Sequence, residues 1–178
     1  MARTRDEGLL LGEWACLGIL AGSPSHGYDV AAHLAPTGDI GRVWTLSRPL
    51  TYRALDQLVQ RGLAEVAGEE RGTAGGNRTI LRPTRAGRTA LRRWLAEPVQ
   101  HLRDVRGELM LKLVLCDVND VDTAPLLAAQ RLAFAPVADR LAADLGAAHP
   151  ADPVAAWRHE SSQATLRFLD RMLDAVDR

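Results

Sequence analysis

The chain has 178 residues, of which 47% are hydrophobic and 25% charged, as is typical of one or two folded domains. Its formal net charge is zero, yet residues 1–98 carry 13 Arg against 10 acids, while residues 99–178 carry 9 Lys or Arg against 12 acids. Because acids interrupt the N-terminus and no apolar run approaches the roughly 20 residues that span a bilayer, we expect no membrane partner and a cytoplasmic location.

The first half of the sequence predicts three helices in succession. Residues 7–21 have the apolar spacing of a buried helix, and residues 25–34 indicate a second, short helix with Ser25 as its N-cap. Ser47 is the predicted N-cap of a third helix over residues 47–61, with Pro49 in its first turn and Gly62 at its end. Its predicted buried stripe consists of Leu55, Leu58, Val59 and Leu63.

A hairpin and a fourth helix follow. Residues 63–66 and 79–82 are predicted strands joined by a glycine-rich connector, and Pro83 is expected to end the second strand. Thr84 is the predicted N-cap of the fourth helix. The order of elements predicts a winged helix-turn-helix domain over residues 1–98, in which the hairpin is the wing.

Residues 99–178 predict an α-helical dimerisation and effector domain, so the fold class is mainly α. Helices are predicted at 108–116, 123–145 and 153–176, and their apolar stripes indicate either core or a dimer seam. The predicted interface of a homodimer consists of Leu127, Phe134, Leu141, Trp157, Phe168 and Met172. Cys16 and Cys116 lie in apolar runs and are expected to be buried free thiols.

Polar and basic residues collect at two places that could contact double-stranded DNA. Arginine can bind guanine through two hydrogen bonds, and tyrosine commonly donates to phosphate. At the start of the third helix the candidates are Ser47, Arg48, Pro49, Tyr52 and Arg53. On the glycine-rich wing they are Arg71, Thr73, Asn77 and Arg78. Each set has a plain alternative, a solvated surface.

Other chemistry finds little support in the sequence. His26 and Asp29 lie near Ser23 and Ser25, but short local spacing is not the geometry of a catalytic triad. The histidines lack zinc-ligand spacing, and no glycine motif fits a phosphate. We therefore expect no enzyme activity, no catalytic residues, no metal and no cofactor. Trp94, Trp157 and Phe168 are candidates for a small-molecule effector pocket, with dimer core as the alternative.

Four motifs in order resemble the PadR family of bacterial transcriptional regulators. They are "GSPSHGYDVAAHL", "WTLSRPLTYRALDQLVQRGLAE", "GGNRTILRPTRAGRTAL" and "RGELMLKLVLCD", which together cover most of residues 9–117. The last resembles the opening of the longer type of C-terminal domain in that family. Pro49, Leu50 and Thr51 depart from the family pattern, so operator preference is expected to differ from that of relatives.

The resemblance implies a sequence-specific regulator that acts as a homodimer on an inverted-repeat operator, often as a repressor that a small ligand releases. It implies DNA contacts from Ser47, Arg48, Tyr52, Arg53 and Arg78, and a backbone-phosphate contact from Tyr28. The alternative is a winged-helix module that binds another protein and not DNA.

Overall fold

The computed structural model describes residues 8–71, 77–149 and 152–176. The chain is mainly helical with one small sheet, which confirms the predicted fold class. Contacts divide it into two compact units. The first comprises Met1–Leu95 and Met110–Val121, and the second comprises Ala96–Leu109 and Asp122–Arg178. The functional domain boundary after residue 98 stays a prediction.

The first helix, α1 (Leu11–Gly22), is the centre of the first unit. Its residues 12–20 are all buried, so nearly its whole circumference faces other elements. The Glu13 carboxylate accepts the backbone N–H of Leu10 at 2.7 Å, which holds the start of the helix. Cys16 and Cys116 are both free and buried, as predicted. Burial and the neighbouring Glu13 carboxylate raise the pKa of the Cys16 thiol to about 12, so it is neutral at physiological pH.

The helix-turn-helix pair consists of α2 (Gly27–His33) and α3 (Arg48–Gln60). The prediction that Ser25 caps α2 is wrong. Ser25 lies instead in the short strand β1 (Ser25–His26), and the cap is His26, whose Nδ1 lies 3.3 Å from the backbone N–H of Asp29. A two-residue strand has no periodicity of its own, so only its partner across the sheet reveals it.

The end of α3 follows the predicted pattern. Gly62 adopts φ +68°, and the N–H groups of Gly62 and Leu63 donate to Val59 and Leu58 at 2.9 and 2.8 Å. These two bonds form a Schellman motif, which requires a residue such as glycine that tolerates positive φ. Leu55, Leu58 and Leu63 are buried as predicted, but Val59 is 39% exposed because it lies at the edge of the apolar stripe.

The sheet has three antiparallel strands in the order β1-β3-β2, where β2 is Ala64–Arg71 and β3 is Asn77–Pro83. Both wing strands are longer than predicted, and Pro83 ends β3 as expected. His26 pairs with Ile80, so the wing is joined through β1 to the start of α2. A register shift between Val66 and Gly68 bends the β2 side of the hairpin.

The fourth helix is α4 (Arg85–Ala96), and Thr84 caps its start as predicted. Thr84 Oγ1 accepts the N–H of Gly87 at 3.1 Å and donates to the carbonyl of Gly62 at 2.8 Å. Trp94 of α4 stacks on Trp14 with ring centroids 4.8 Å apart. The ammonium of Lys112, on α5 (Met110–Val118), lies 4.8 Å from the same Trp94 ring.

The second unit contains two long helices, α6 (Ala124–Ala147) and α7 (Pro153–Val176), which pack on each other. Before them come a 3₁₀ turn (Leu102–Asp104) and a π-helical turn (Val105–Leu109) that leads into α5. The buried amide of Gln130 clamps Val99, accepting its N–H at 2.8 Å and donating to its carbonyl at 3.0 Å. Of the helices in the part of the chain described here, none combines the length and apolar character needed to cross a bilayer.

Candidate nucleic-acid interface

The first turn and a half of α3 has one buried anchor and a largely exposed surface. Thr51 is completely buried, and both its N–H (2.9 Å) and its hydroxyl (3.1 Å) donate to the carbonyl of Ser47. Pro in the first turn fixes φ, so this part of the helix is rigid. The residues that it exposes are Ser47, Arg48, Pro49, Leu50, Tyr52 and Arg53.

Two aromatic side chains extend this exposed surface towards α2. The guanidinium of Arg48 lies over the ring of Tyr28, 4.9 Å from its centroid, so cation–π attraction holds both side chains at the surface. Tyr52 packs on Gly27, where an added Cβ would lie 2.6 Å from Cε1 of the tyrosine ring. Both tyrosines are exposed, and hence their hydroxyls can reach a ligand outside the protein.

The wing residues are more engaged within the protein than the helix residues. Arg78 Nη1 and Asp29 Oδ2 each lie 3.1 Å from His26 Nε2. When Nδ1 accepts the Asp29 N–H as the cap of α2, the ring proton is on Nε2 and can be donated to Asp29 Oδ2, so Arg78 is then a close contact of Nε2 and not a donor to it. Asn77 donates to the Glu69 carboxylate at 2.9 Å.

For the two remaining wing candidates, Arg71 and Thr73, no side-chain position can be described. Arg71 ends β2, but its side chain lies outside the described residues, as does all of Thr73. Arg82, lower on the wing, is paired with Glu65 at 2.8 Å. Glu69 and Glu70 are also exposed here, so the wing carries acids beside its arginines. Its surface is therefore less positively charged than the start of α3.

A cleft of about 720 Å³ lies between α3 and the wing. Its walls combine apolar side chains with the polar atoms of His26 and Arg78, and Asp56 and Gln60 lie on its α3 side. The large hydrophobic side chains of its lining that are exposed are Tyr28, Tyr52, Val59 and Val66. The cleft therefore offers a surface with both apolar and hydrogen-bonding groups next to the exposed start of α3.

The residues predicted for the effector site and the dimer interface fall into two groups. Trp94 is 8% exposed and packed on Trp14, so its ring belongs to the core of the first unit, which leaves Trp157 and Phe168 as effector candidates. Leu127, Phe134 and Leu141 are buried within one chain and have almost no surface for a second copy. The dimer face, still a prediction, therefore rests on Trp157, Phe168 and Met172.

The sequence underestimated the roles of two residues of this surface, His26 and Leu50. His26 caps α2, pairs with β3 and contacts Arg78, and its position directly before a short helix was the only local signal of the first role. Leu50 entered only as part of a departure from the family pattern, yet its side chain is among the exposed large hydrophobic ones. Thr51, from the same departure, is buried and cannot contact a ligand.

Helices α1, α2 and α3, the sheet and the exposed start of α3 define a winged helix-turn-helix domain followed by a helical region. No protein-family model and no curated protein matches the sequence.

Several solved structures are similar to the chain. Bacillus subtilis PadR in complex with operator DNA is 18% identical, with 92% of this chain and 98% of that chain covered and a TM-score of 0.47. The same protein in complex with p-coumaric acid is 19% identical, with 95% and 100% covered and a TM-score of 0.44. The Vibrio cholerae virulence activator AphA is 24% identical, with 94% of each chain covered and a TM-score of 0.42.

Proposed function

We propose that this protein is a sequence-specific DNA-binding transcription regulator that inserts the start of α3 into the major groove. The observation that carries the proposal is the exposed set of Arg48, Tyr52 and Arg53 on a rigid helix start that buried Thr51 anchors. Recognition helices of helix-turn-helix proteins place their N-terminal residues against base edges. Arginine supplies paired donors for guanine, and the tyrosine hydroxyls suit phosphate.

The pairing of Arg48 with Tyr28 supports the proposal further. A free arginine side chain loses considerable rotamer entropy when it is fixed against a ligand. Since the Tyr28 ring already restricts Arg48, part of that entropy is lost before DNA binds. The exposed Tyr28 hydroxyl then lies beside a cation, where a backbone phosphate would meet both groups.

The finer parts of the proposal are a homodimer, an inverted-repeat operator and repression that a small molecule relieves. The four PadR-like motifs support all three. The exposed Trp157 and the half-buried Phe168 and Met172 of α7 support a second copy as their partner. Two recognition helices related by a two-fold axis would then enter major grooves about one helical turn (~34 Å) apart.

Anisotropy of a labelled duplex from the region upstream of the protein's own gene tests the DNA-binding function. Arg48→Ala/Arg53→Ala should lose about 1–3 kcal/mol of binding for each arginine that reads a base or phosphate, and the salt dependence should become shallower. The matched control is Arg140→Ala/Arg167→Ala, which removes the same charge from exposed positions of α6 and α7. Equal losses in both double variants, or no loss in the first, would contradict the proposal.

A second candidate function is docking of another protein into the cleft between α3 and the wing. The exposed Val59 and Val66 favour it, since apolar side chains in such a cleft suit a protein partner. The same anisotropy series separates the two functions. Absence of salt-dependent DNA binding, together with a partner captured by the wild type and lost in Val59→Glu, would replace the DNA-binding function by this one.

A further inference from the structure

Leu50 is an exposed apolar residue in the first turn of α3, where most of the other exposed side chains are polar or basic. Its side chain is 49% exposed, between Arg48 and Arg53, and the neighbouring Pro49 is exposed as well. Single exposed leucines are common on protein surfaces and mean little by themselves. What separates Leu50 from the others is its place in the turn proposed to enter the major groove.

The position of Leu50 is fixed by its neighbours in the chain. Thr51 is locked to the Ser47 carbonyl through both its N–H and its hydroxyl, and Pro49 restricts the backbone on the other side. Leu50 lies one residue, or about 100° of helix rotation, before the buried Thr51. It therefore presents its side chain from a rigid turn at the margin of the exposed face.

A leucine that approaches the floor of the major groove can gain from only one base. Guanine, cytosine and adenine edges display donors and acceptors there, whereas thymine adds the C5-methyl group. Covering donors and acceptors with an aliphatic side chain removes their water without replacing the hydrogen bonds, which opposes binding. Packing against a methyl group buries apolar surface on both sides, which favours binding.

We propose that Leu50 is a specificity-determining residue that reads the C5-methyl group of a thymine in each operator half-site. The inference rests on the proposed DNA-binding function and makes it more specific. Arg48 and Arg53 flank Leu50 in sequence, so each half-site should combine guanine-containing steps with a thymine whose methyl group meets Leu50. Burying one methyl group is worth about fourfold in affinity.

Replacing thymine by deoxyuridine tests this directly, because the change removes only the methyl group and leaves base pairing intact. One thymine position of a bound duplex is replaced at a time, in both half-sites together. Affinity for each duplex is measured with the wild type and with Leu50→Ala. At one or two positions the wild type should bind the uracil duplex about fourfold more weakly per half-site. Leu50→Ala should bind the thymine and uracil duplexes equally at those positions.

The control variant is Leu132→Ala, which removes an exposed leucine of α6 and should keep the wild-type preference for thymine. Both leucines are exposed, so thermal denaturation should show that both variants fold as the wild type does. The proposal is overturned if no uracil substitution weakens wild-type binding, or if Leu50→Ala keeps the preference. Tight binding without thymine preference overturns this inference alone, whereas absence of any DNA binding overturns the proposed function with it.

Discussion

Helices α1 and α7 differ in how many of their residues are buried within the chain. Of the 12 residues of α1, nine are buried, in one unbroken run from Gly12 to Leu20. In the 24 residues of α7 only Ser162, Thr165 and Leu169 are buried, and two of these carry hydroxyl groups. The largest side chain of α7, Trp157, is 74% exposed. The core around α1 is complete within one chain, while α7 leaves apolar surface uncovered.

This contrast separates two sources of stability. The first unit, which carries the proposed DNA-reading surface, holds its shape through its own core. Apolar surface on α7 would be removed from water only if something covers it, and a second copy of the chain is the partner we propose. Stability of the first unit should therefore depend on buried residues, and assembly should depend on exposed residues of α7.

The largest effect is expected in α1. Leu17 has no exposed surface, so Leu17→Ala should lower the free energy of unfolding by about 3 kcal/mol through lost burial and a residual cavity. Urea denaturation followed by tryptophan fluorescence measures it. The matched control is Leu132→Ala, where the same change at an exposed position should stay within about 0.5 kcal/mol. Similar losses in both would break the contrast between buried and exposed leucines.

A smaller but distinct effect is expected at Trp157. Trp157→Asp should weaken dimerisation by about 2 kcal/mol or more, because a tryptophan anchor would be replaced by a charge that is costly to bury. Sedimentation velocity over a concentration series measures the shift towards monomer, and circular dichroism should show unchanged helix content. Val66→Asp, an exposed apolar residue of the wing, should leave assembly unchanged. A Trp157→Asp variant that dimerises as the wild type would remove α7 from the interface.

The smallest effects are expected at the capping residues of two helices, α4 and α7. Thr84 caps α4 in the first unit, and Asp152 Oδ1 accepts the N–H groups of Val154 and Ala155 at 2.9 and 3.2 Å at the start of α7. Each alanine variant loses a cap worth about 1 kcal/mol. Thr84→Ala should lower the free energy of unfolding of the whole first unit by about this amount, because the Thr84 hydroxyl also donates a hydrogen bond to the carbonyl of Gly62 at the end of α3. Asp152→Ala should mainly increase hydrogen exchange in the exposed first turn of α7. Exchange that rises throughout the chain in Asp152→Ala would argue against the contrast.

Sequence patterns predicted the elements of the first unit where local chemistry determines them. Thr84 as a cap, Gly62 as a helix end and Pro83 as a strand end each depend on a few neighbouring residues. The strand at Ser25–His26 was missed because it exists only through pairing with Leu81 and Ile80, more than 50 positions away. Val59 was placed in the core because helical periodicity does not show where the neighbouring wing leaves a cleft.

The same limit applies to the candidate site. The exposed Arg48, Tyr52 and Arg53 were predicted from their position on the third helix, and the structure places all three at its surface. The contacts Arg48–Tyr28 and Arg78–His26 join segments far apart in sequence, and no local pattern predicts them. Apolar periodicity likewise could not tell that Leu127, Phe134 and Leu141 are buried within one chain while Trp157 is exposed.

Selection of bound sequences from a pool of random duplexes tests the central claim most directly. The wild type should enrich a two-fold symmetric motif whose half-sites lie roughly one helical turn (~34 Å) apart, with guanine and thymine among the preferred bases. Arg48→Ala/Arg53→Ala should lose that enrichment, and Arg140→Ala/Arg167→Ala should retain it. A wild-type pool without an enriched motif, or the same motif enriched equally by Arg48→Ala/Arg53→Ala, would contradict the assignment of α3 as the element that reads DNA.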